Sequence, residues 1–489
     1  MMRPQFAFSG ILIGLSVLVA CKTDKKEEPN PETPEEVVFA VETGASQIPY
    51  LIIDTQGTDI KNEPKVSAEL KIYVEKTPVQ SAHIGIEYRG STSFRLSDKK
   101  SYGIETWAED GSDTQVSFFG LPEEEDWILM GHVVNEEEGY IFDRTLMYHQ
   151  FGYQLFEAMG RYASRTEFVE LQIDDDYKGV YVFMEKLKRD KNRIDIKKLE
   201  PGDVLADEIT GGYILKIDKT AGGDLNINQP LEYFENNWED DARYTEDISF
   251  RSYYDINGQP MAFDPYGEPY HANMYLETYF LYEYPKAAEI TAAQKNYIQT
   301  YIRDFETALL ADDFSTEVRT YTDFVDLSSF VDFFILNEVV RNVDAYRLST
   351  YLYKDRGGKL NMGPVWDLNI GYDNGGRVPI DGWVINYNQY VGSDAWMVPF
   401  WWPRLMEDPV FRAAVKTRWT SLRGGTLSTV SLKAMVDATA SYLLENGAVD
   451  RNYERWGKAI GVDYGASIAS LKAYLEERTQ WMDGQISAF

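Results

Sequence analysis

The chain predicts an α+β fold in two lobes, a β-rich front with one main helix and a helical back. Three observations predict it. Between 38 and 194, apolar and polar residues alternate in short runs bounded by turn residues. From 290 onward the apolar spacing changes to three and four residues. One hairpin signature, at 350–366, interrupts the helical part.

The N-terminus reads as a targeting segment. Arg3 supplies a positive start, and Phe6 to Ala20 is an apolar run too short to span a bilayer as a stable helix. Leu18-Val-Ala-Cys21 closes it as a lipobox. Residues 1–20 are therefore expected to be a lipoprotein signal, with Cys21 the point of lipid attachment. Cys21 is the single cysteine of the 489 residues, so the fold is expected to form without disulfides. Residues 21–37 are charged and proline-bearing and read as a solvated tether.

In the front lobe, Ile48 to Asp54, Ala68 to Val74, His83 to Tyr88 and Lys100 to Thr106 read as strands of an antiparallel sheet. A helix is expected over Asp143 to Met159, with Met147, Phe151, Leu155 and Met159 in one row and Gly160 just past its end. Glu167 to Ile173 and Gly179 to Met184 form a second hairpin around Asp174-Asp-Asp176. Residues 195–289 are irregular, with one strand at Gly212 to Asp218, and read as an inserted subdomain. In 290–489, Tyr297, Ile298, Tyr301, Ile302, Phe305 and Leu309 make a helical face. Asp326 caps a helix to Val340 with Leu327, Phe330, Val331, Phe334, Ile335 and Val339 on one side. Later helices are expected over 408–422, 428–446 and 465–489.

The formal net charge of −31 argues against binding nucleic acid or adhering directly to anionic lipid. Aromatic residues make up 14% of the chain. Core packing accounts for that content, and a glycan-binding surface around Trp396, Trp401 and Trp402 is the alternative.

The chemistry-bearing stretch is Asn342-Val-Asp344, followed by a hairpin and then Gly363-Pro-Val-Trp-Asp367. Thr350 to Tyr353 leaves as a strand, Gly357-Gly358 turns it, and Lys359 to Trp366 returns. A hairpin brings its ends together, so Asp344 and Asp367 are expected side by side. Helix, loop Asp, hairpin and second Asp follow one another as in a kinase catalytic core. There one Asp orients or deprotonates the acceptor hydroxyl and the other holds a metal on the phosphates.

Other candidates come from the front lobe. Arg89-Gly-Ser-Thr-Ser93 offers a flexible turn with backbone N–H groups and hydroxyls for phosphate oxygens. Of Lys99 and Lys100, Lys100 is preferred as a phosphate contact because it opens a strand. Arg144, in the first turn of the expected helix, opposes the helix dipole, as a phosphate contact or a surface ion pair would explain. Glu185 ends a strand and either meets a nucleotide or forms a structural salt bridge. The four histidines show no metal-ligand spacing, and neither a Gly-x-Ser-x-Gly elbow nor a Walker loop occurs.

Taken together, these pieces resemble the spore coat protein H (CotH) kinase family in its lipoprotein form. The resemblance rests on Leu51-Ile-Ile-Asp-Thr, Tyr88-Arg-Gly-Ser-Thr-Ser, Lys99-Lys-Ser-Tyr, Asp126-Trp-Ile-Leu with Asp143-Arg-Thr-Leu, and Gly179-Val-Tyr with Met184-Glu-Lys. It continues through Asn337-Glu, Asn342-Val-Asp, Tyr351-Leu-Tyr-Lys, Gly363-Pro-Val-Trp-Asp, Phe400-Trp-Trp, Asp408-Pro-Val-Phe and Arg418-Trp. It implies an atypical protein-kinase-like fold, ATP with Mg²⁺ or Mn²⁺, and phosphoryl transfer to Ser or Thr of exported or cell-surface proteins from a lipid-anchored position in the cell envelope. It further implies Asp344 as the catalytic-loop residue and Asp367 as the metal ligand, with Arg89, Lys100, Arg144 and Glu185 at the nucleotide. Two positions depart from the family pattern. Ser349 stands where many members have a metal-binding Asn, and Asn369 where they often have Asp. Both are weaker ligands, which leaves a second reading, a kinase-like binding protein with little transfer activity.

Overall fold

The computed structural model describes residues 37–220, 244–262, 265–266, 276–374, 376–392, 394, 396–457 and 460–489. The expected signal, Cys21 and all but the last residue of the tether lie outside the described residues. Ala40–Phe489 form one compact unit. Among the described residues, no helix is long and apolar enough to cross a membrane.

The front strands are β1 (Tyr50–Asp54), β2 (Val66–Val74), β3 (Thr77–Arg89), β4 (Ser101–Trp107) and β5 (Asp126–Gly131), then a small pair, β6 (Val134–Asn135) and β7 (Tyr140–Ile141), then β8 (Thr166–Ile173) and β9 (Asp176–Glu185). They pair antiparallel as expected, and β1-β2-β3-β4-β5-β9-β8 go on to close into a barrel through a parallel pairing of β1 with β8. Alternation reports that one face is buried. It carries no information on whether the edges meet, and closure removes the two edges an open sheet would expose.

Leu70, Ile84, Leu129, Tyr181 and Phe183 fill the barrel. Their neighbours Ile128, Met130, Val180, Val182 and Met184 point outward and are buried too, in the core of the remaining protein. β5 and β9 are thus apolar on both faces, which is how the barrel is joined to the rest.

The helix expected from Asp143 spans Tyr148–Ala158. Leu146 has a left-handed φ of 63°, which interrupts any earlier helical turn. Asp143 accepts N–H bonds from Thr145 and Tyr148, both at 2.8 Å, and so pins the approach to the helix. Arg144 is consequently exposed on that approach and lies outside the first helical turn.

A second sheet runs β11 (Ser249–Arg251), β12 (Tyr279–Tyr284), β10 (Tyr213–Ile217), β13 (Thr350–Lys354), β14 (Leu360–Met362). The segment read as an inserted subdomain therefore supplies three strands of the sheet that holds the hairpin. β10 pairs antiparallel with β13 from Tyr213↔Lys354 to Ile217↔Thr350. Nothing local in sequence signals a pairing across so long a separation.

The helices Ala292–Leu310, Leu327–Val340, Pro409–Arg423, Thr429–Glu445 and Tyr464–Ser487 follow the apolar spacing. Leu327–Val340 is capped as expected, Asp326 accepting from Ser329 N–H at 2.7 Å. It is not one-sided, because Ser329 to Val340 are all buried. Its polar residues are neutralised instead. Asp332 takes Arg161 at 2.8 Å and Arg418 at 2.7 Å, and Glu338 pairs with Arg478 at 3.0 Å.

Candidate active site

A cleft of about 450 Å³ is lined on one side by the β3 end and the following turn, and on the other by the end of β10, the loop before β13 and the segment after β14. Asp344, Asp367, Ser349, Asn369 and Arg89 all line it.

The two loops that carry these carboxylates are joined through their backbones by one side chain. The Asn342 Oδ1 accepts the Asp344 N–H at 3.3 Å, and its amide donates to the Asp367 carbonyl, also at 3.3 Å. The hairpin thus does what the sequence order predicts. A close approach behind it holds the loops in register: a Cβ on Gly371 would lie 2.4 Å from the Val340 carbonyl oxygen.

The loops are conformationally unusual. Arg341, Tyr346, Ser349, Asp367 and Tyr372 all have left-handed φ, between 47° and 73°. Such residues cost about 1 kcal/mol or more each and cluster where surroundings over-determine the backbone. Here the helix Tyr148–Ala158 does so. Tyr153 Oη accepts the Asp367 N–H at 3.3 Å, and His149 Nδ1 accepts the Leu368 N–H at 3.4 Å. The helix Tyr148–Ala158 is therefore the support on which Asp367 is built.

Burial, then the charges of Asp344 and Asp218, push the Asp367 carboxyl up to about 7, against Lys219 and Arg89. Asp218 was not anticipated. It follows β10, lines the cleft, and accepts from Ser349 Oγ at 3.4 Å and from Lys216 Nζ at 3.4 Å. Lys219 donates to Thr92 Oγ1 at 2.7 Å and so links the glycine-bearing turn to the sheet side. The available signal was Lys216-Ile-Asp218-Lys219, a charge cluster at the end of an alternating strand. Arg347 and Asp394 were also missed, and no local pattern marks them.

The turn itself lies as expected. Gly90 has φ 102°, and Gly90 to Ser93 line the cleft where the chain enters the short helix Thr92–Leu96. The Ser91 hydroxyl oxygen is buried there with no hydrogen-bond partner among the described residues. Arg89 stands 5.8 Å from the Trp366 ring centroid.

Three expected nucleotide contacts are not brought to the cleft lining. The Lys100 ammonium donates to the Phe94 carbonyl at 2.6 Å and sits 4.4 Å from that ring, because β4 begins at Ser101 and leaves Lys100 in the preceding loop. The rejected alternative, Lys99, is buried and donates to Val180 O and Asn452 Oδ1; burial pushes its amine well below the usual lysine range. Glu185 is fully buried against Arg165 at 2.6 Å and Arg193 at 3.7 Å, which is the structural salt bridge. Arg144 is exposed, its carbonyl accepting from Tyr453 Oη. Asp373, four residues past Asn369, accepts from Tyr148 Oη and Ser470 Oγ. Trp401 and Trp402 are core residues, and of the proposed glycan-binding trio only Trp396 lines the cleft.

A sequence model of the family described as CotH kinase protein matches residues 86–482, most of the chain. The chain belongs to the CotH kinase family. No curated protein matches it. The match spans both the glycine-bearing turn and the Asp344–Asp367 pair, so membership covers the whole cleft. CotH family membership carries a kinase-like function and implies ATP with a divalent metal. The residues fit such a group. Three carboxylates, Asp218, Asp344 and Asp367, line one cleft and oppose each other's ionisation at Asp367, an arrangement that a cation relieves. Arg89, Lys216 and Lys219 stand beside them for phosphate.

Proposed function

We propose that the protein is an exported, lipid-anchored kinase that transfers the γ-phosphoryl group of ATP to Ser or Thr hydroxyls of envelope or surface proteins. The observation that carries this reading is the Asn342 side chain tying the Asp344 and Asp367 loops together at the cleft that also holds the glycine-bearing turn. Asp344 receives or orients the acceptor proton. The acceptor oxygen forms the new bond to the γ-phosphorus, the bridging P–O bond breaks, and ADP leaves. Asp367, with Asn369, Ser349 and Asp218, would hold Mg²⁺ or Mn²⁺. The bound metal supplies charge neutralisation on the phosphates. Arg89, Lys219 and the Gly90–Ser93 turn hold phosphate oxygens, replacing Lys100, Arg144 and Glu185 in that role. Cys21 carries the anchor.

Metal-dependent phosphate incorporation by the purified mature protein tests the reading. Asp344→Asn should abolish transfer while keeping Mg·ATP binding, and Asp367→Asn should lose the metal-dependent thermal shift. Equal labelling by wild type and Asp344→Asn would remove Asp344 from catalysis. The neutral ligands Ser349 and Asn369 favour a second reading, nucleotide binding without transfer. A clear Mg·ATP shift with no labelling of any acceptor would establish that one.

A further inference from the structure

We propose that Arg347 is the positioning residue for Asp344, selecting which carboxylate oxygen faces the acceptor; this rests on the kinase reading of the same cleft. The Arg347 side chain has no exposed surface. Its guanidinium plane is fixed from several segments. Nε–H donates to the Val343 carbonyl at 2.9 Å, and Nη1 donates to the Trp396 carbonyl at 3.0 Å. Asp394 Oδ2 lies 3.5 Å from Nη1, and the Tyr387 ring stacks with its centroid 4.0 Å from the guanidinium carbon. Tyr387 Oη donates to that same Asp394 oxygen at 2.6 Å, which anchors the far side.

The remaining fork nitrogen, Nη2, donates to Asp344 Oδ1. Among the described residues Oδ2 of Asp344 accepts no hydrogen bond, the charge of Arg377 acts on the carboxylate, and Asp344 lines the cleft. The rigid guanidinium therefore occupies one oxygen and leaves the other for the acceptor hydroxyl. A lysine at this position keeps the charge but has no planar fork to hold both the backbone carbonyls and Oδ1.

The test uses the full mature chain with Mg·ATP and a protein acceptor. Arg347→Lys should lower kcat by about a hundredfold, the scale of a misplaced catalytic group, with KM for ATP and the Mg·ATP thermal shift unchanged. A folded Arg347→Lys enzyme with wild-type kcat overturns the proposal. So does parallel loss of kcat and nucleotide binding, which marks a merely structural role. Where Arg347→Lys does not fold, Asp394→Asn releases the far anchor while keeping Arg347 and Asp344. It should lower kcat with KM for ATP unchanged, and an unchanged kcat overturns the proposal. The two readings fail separately. Asp344→Asn labelling like wild type sinks the kinase assignment, whereas an inactive Asp344→Asn beside a fully active Arg347→Lys sinks only the role of Arg347.

Discussion

Buried charges set much of the single-residue energetics. Glu338 and Arg478 have no exposed side-chain surface, and Glu338 also accepts the N–H groups of Val384 and Ile385 at 2.8 and 3.0 Å. Arg478→Met strands that carboxylate, and we expect a loss of about 3–5 kcal/mol in chemical denaturation. Glu306 shows the opposite design. Among the described residues it has no cationic partner; it accepts from Ser252 Oγ at 2.8 Å and Trp401 Nε1 at 3.0 Å, and burial pushes its carboxyl from 4.5 up to about 8. The folded form thus keeps a proton that the unfolded form releases. Stability from this site is intact below the unfolded value and falls as pH rises toward 8. Glu306→Gln should therefore be more stable than wild type at pH 8, on the order of a few kcal/mol, and the gap should close near pH 4.5. Melting curves across that range check the sign.

Helix Tyr148–Ala158 connects the barrel to the chemistry. Phe151, Leu155 and Phe156 lie in the same core as Val339, Leu368 and Tyr372. Gly152 is the closest approach: a Cβ there would lie 2.2 Å from Leu368 Cδ1 and 2.9 Å from Tyr372 Oη. Gly152→Val should displace Leu368 and with it the neighbouring Asp367. The expected outcome is weakened metal-dependent nucleotide binding, with overpacking costing about 1–3 kcal/mol and far-UV circular dichroism unchanged. This element was visible in the sequence as one apolar row. Its true start was not, since the left-handed Leu146 carries no compositional mark.

At the scale of the molecule, a net charge of −31 surrounds a cleft lined by Arg89, Lys216, Lys219, Arg347 and Arg377 against an equal number of carboxylates. The cleft is thus locally balanced in a strongly acidic protein, and polyphosphate enters it at less electrostatic cost than at the general surface. The surrounding charge repels itself, so added salt should raise the melting temperature by a few degrees through screening. A melt in sodium chloride steps, without nucleotide, measures this.

Local pattern was enough for the α+β class, for most helices and strands, and for the meeting of Asp344 with Asp367, because a helix stripe, a strand alternation and a hairpin are all short-range. The same holds for Arg89 and its turn, whereas Ser349 and Asn369 were marked only by the family resemblance. Barrel closure, the membership of β10 in the hairpin sheet, and the arrival of Asp218, Lys219 and Asp394 at the cleft were settled by long-range packing. Lys100 and Glu185 were instead taken by partners nearer in the chain, the Phe94 carbonyl and the Arg165 guanidinium, and Arg144 is left exposed. A side chain's neighbours across more than a hundred residues depend on which strand edges pair and which apolar faces meet, and no neighbouring residue in the chain encodes that.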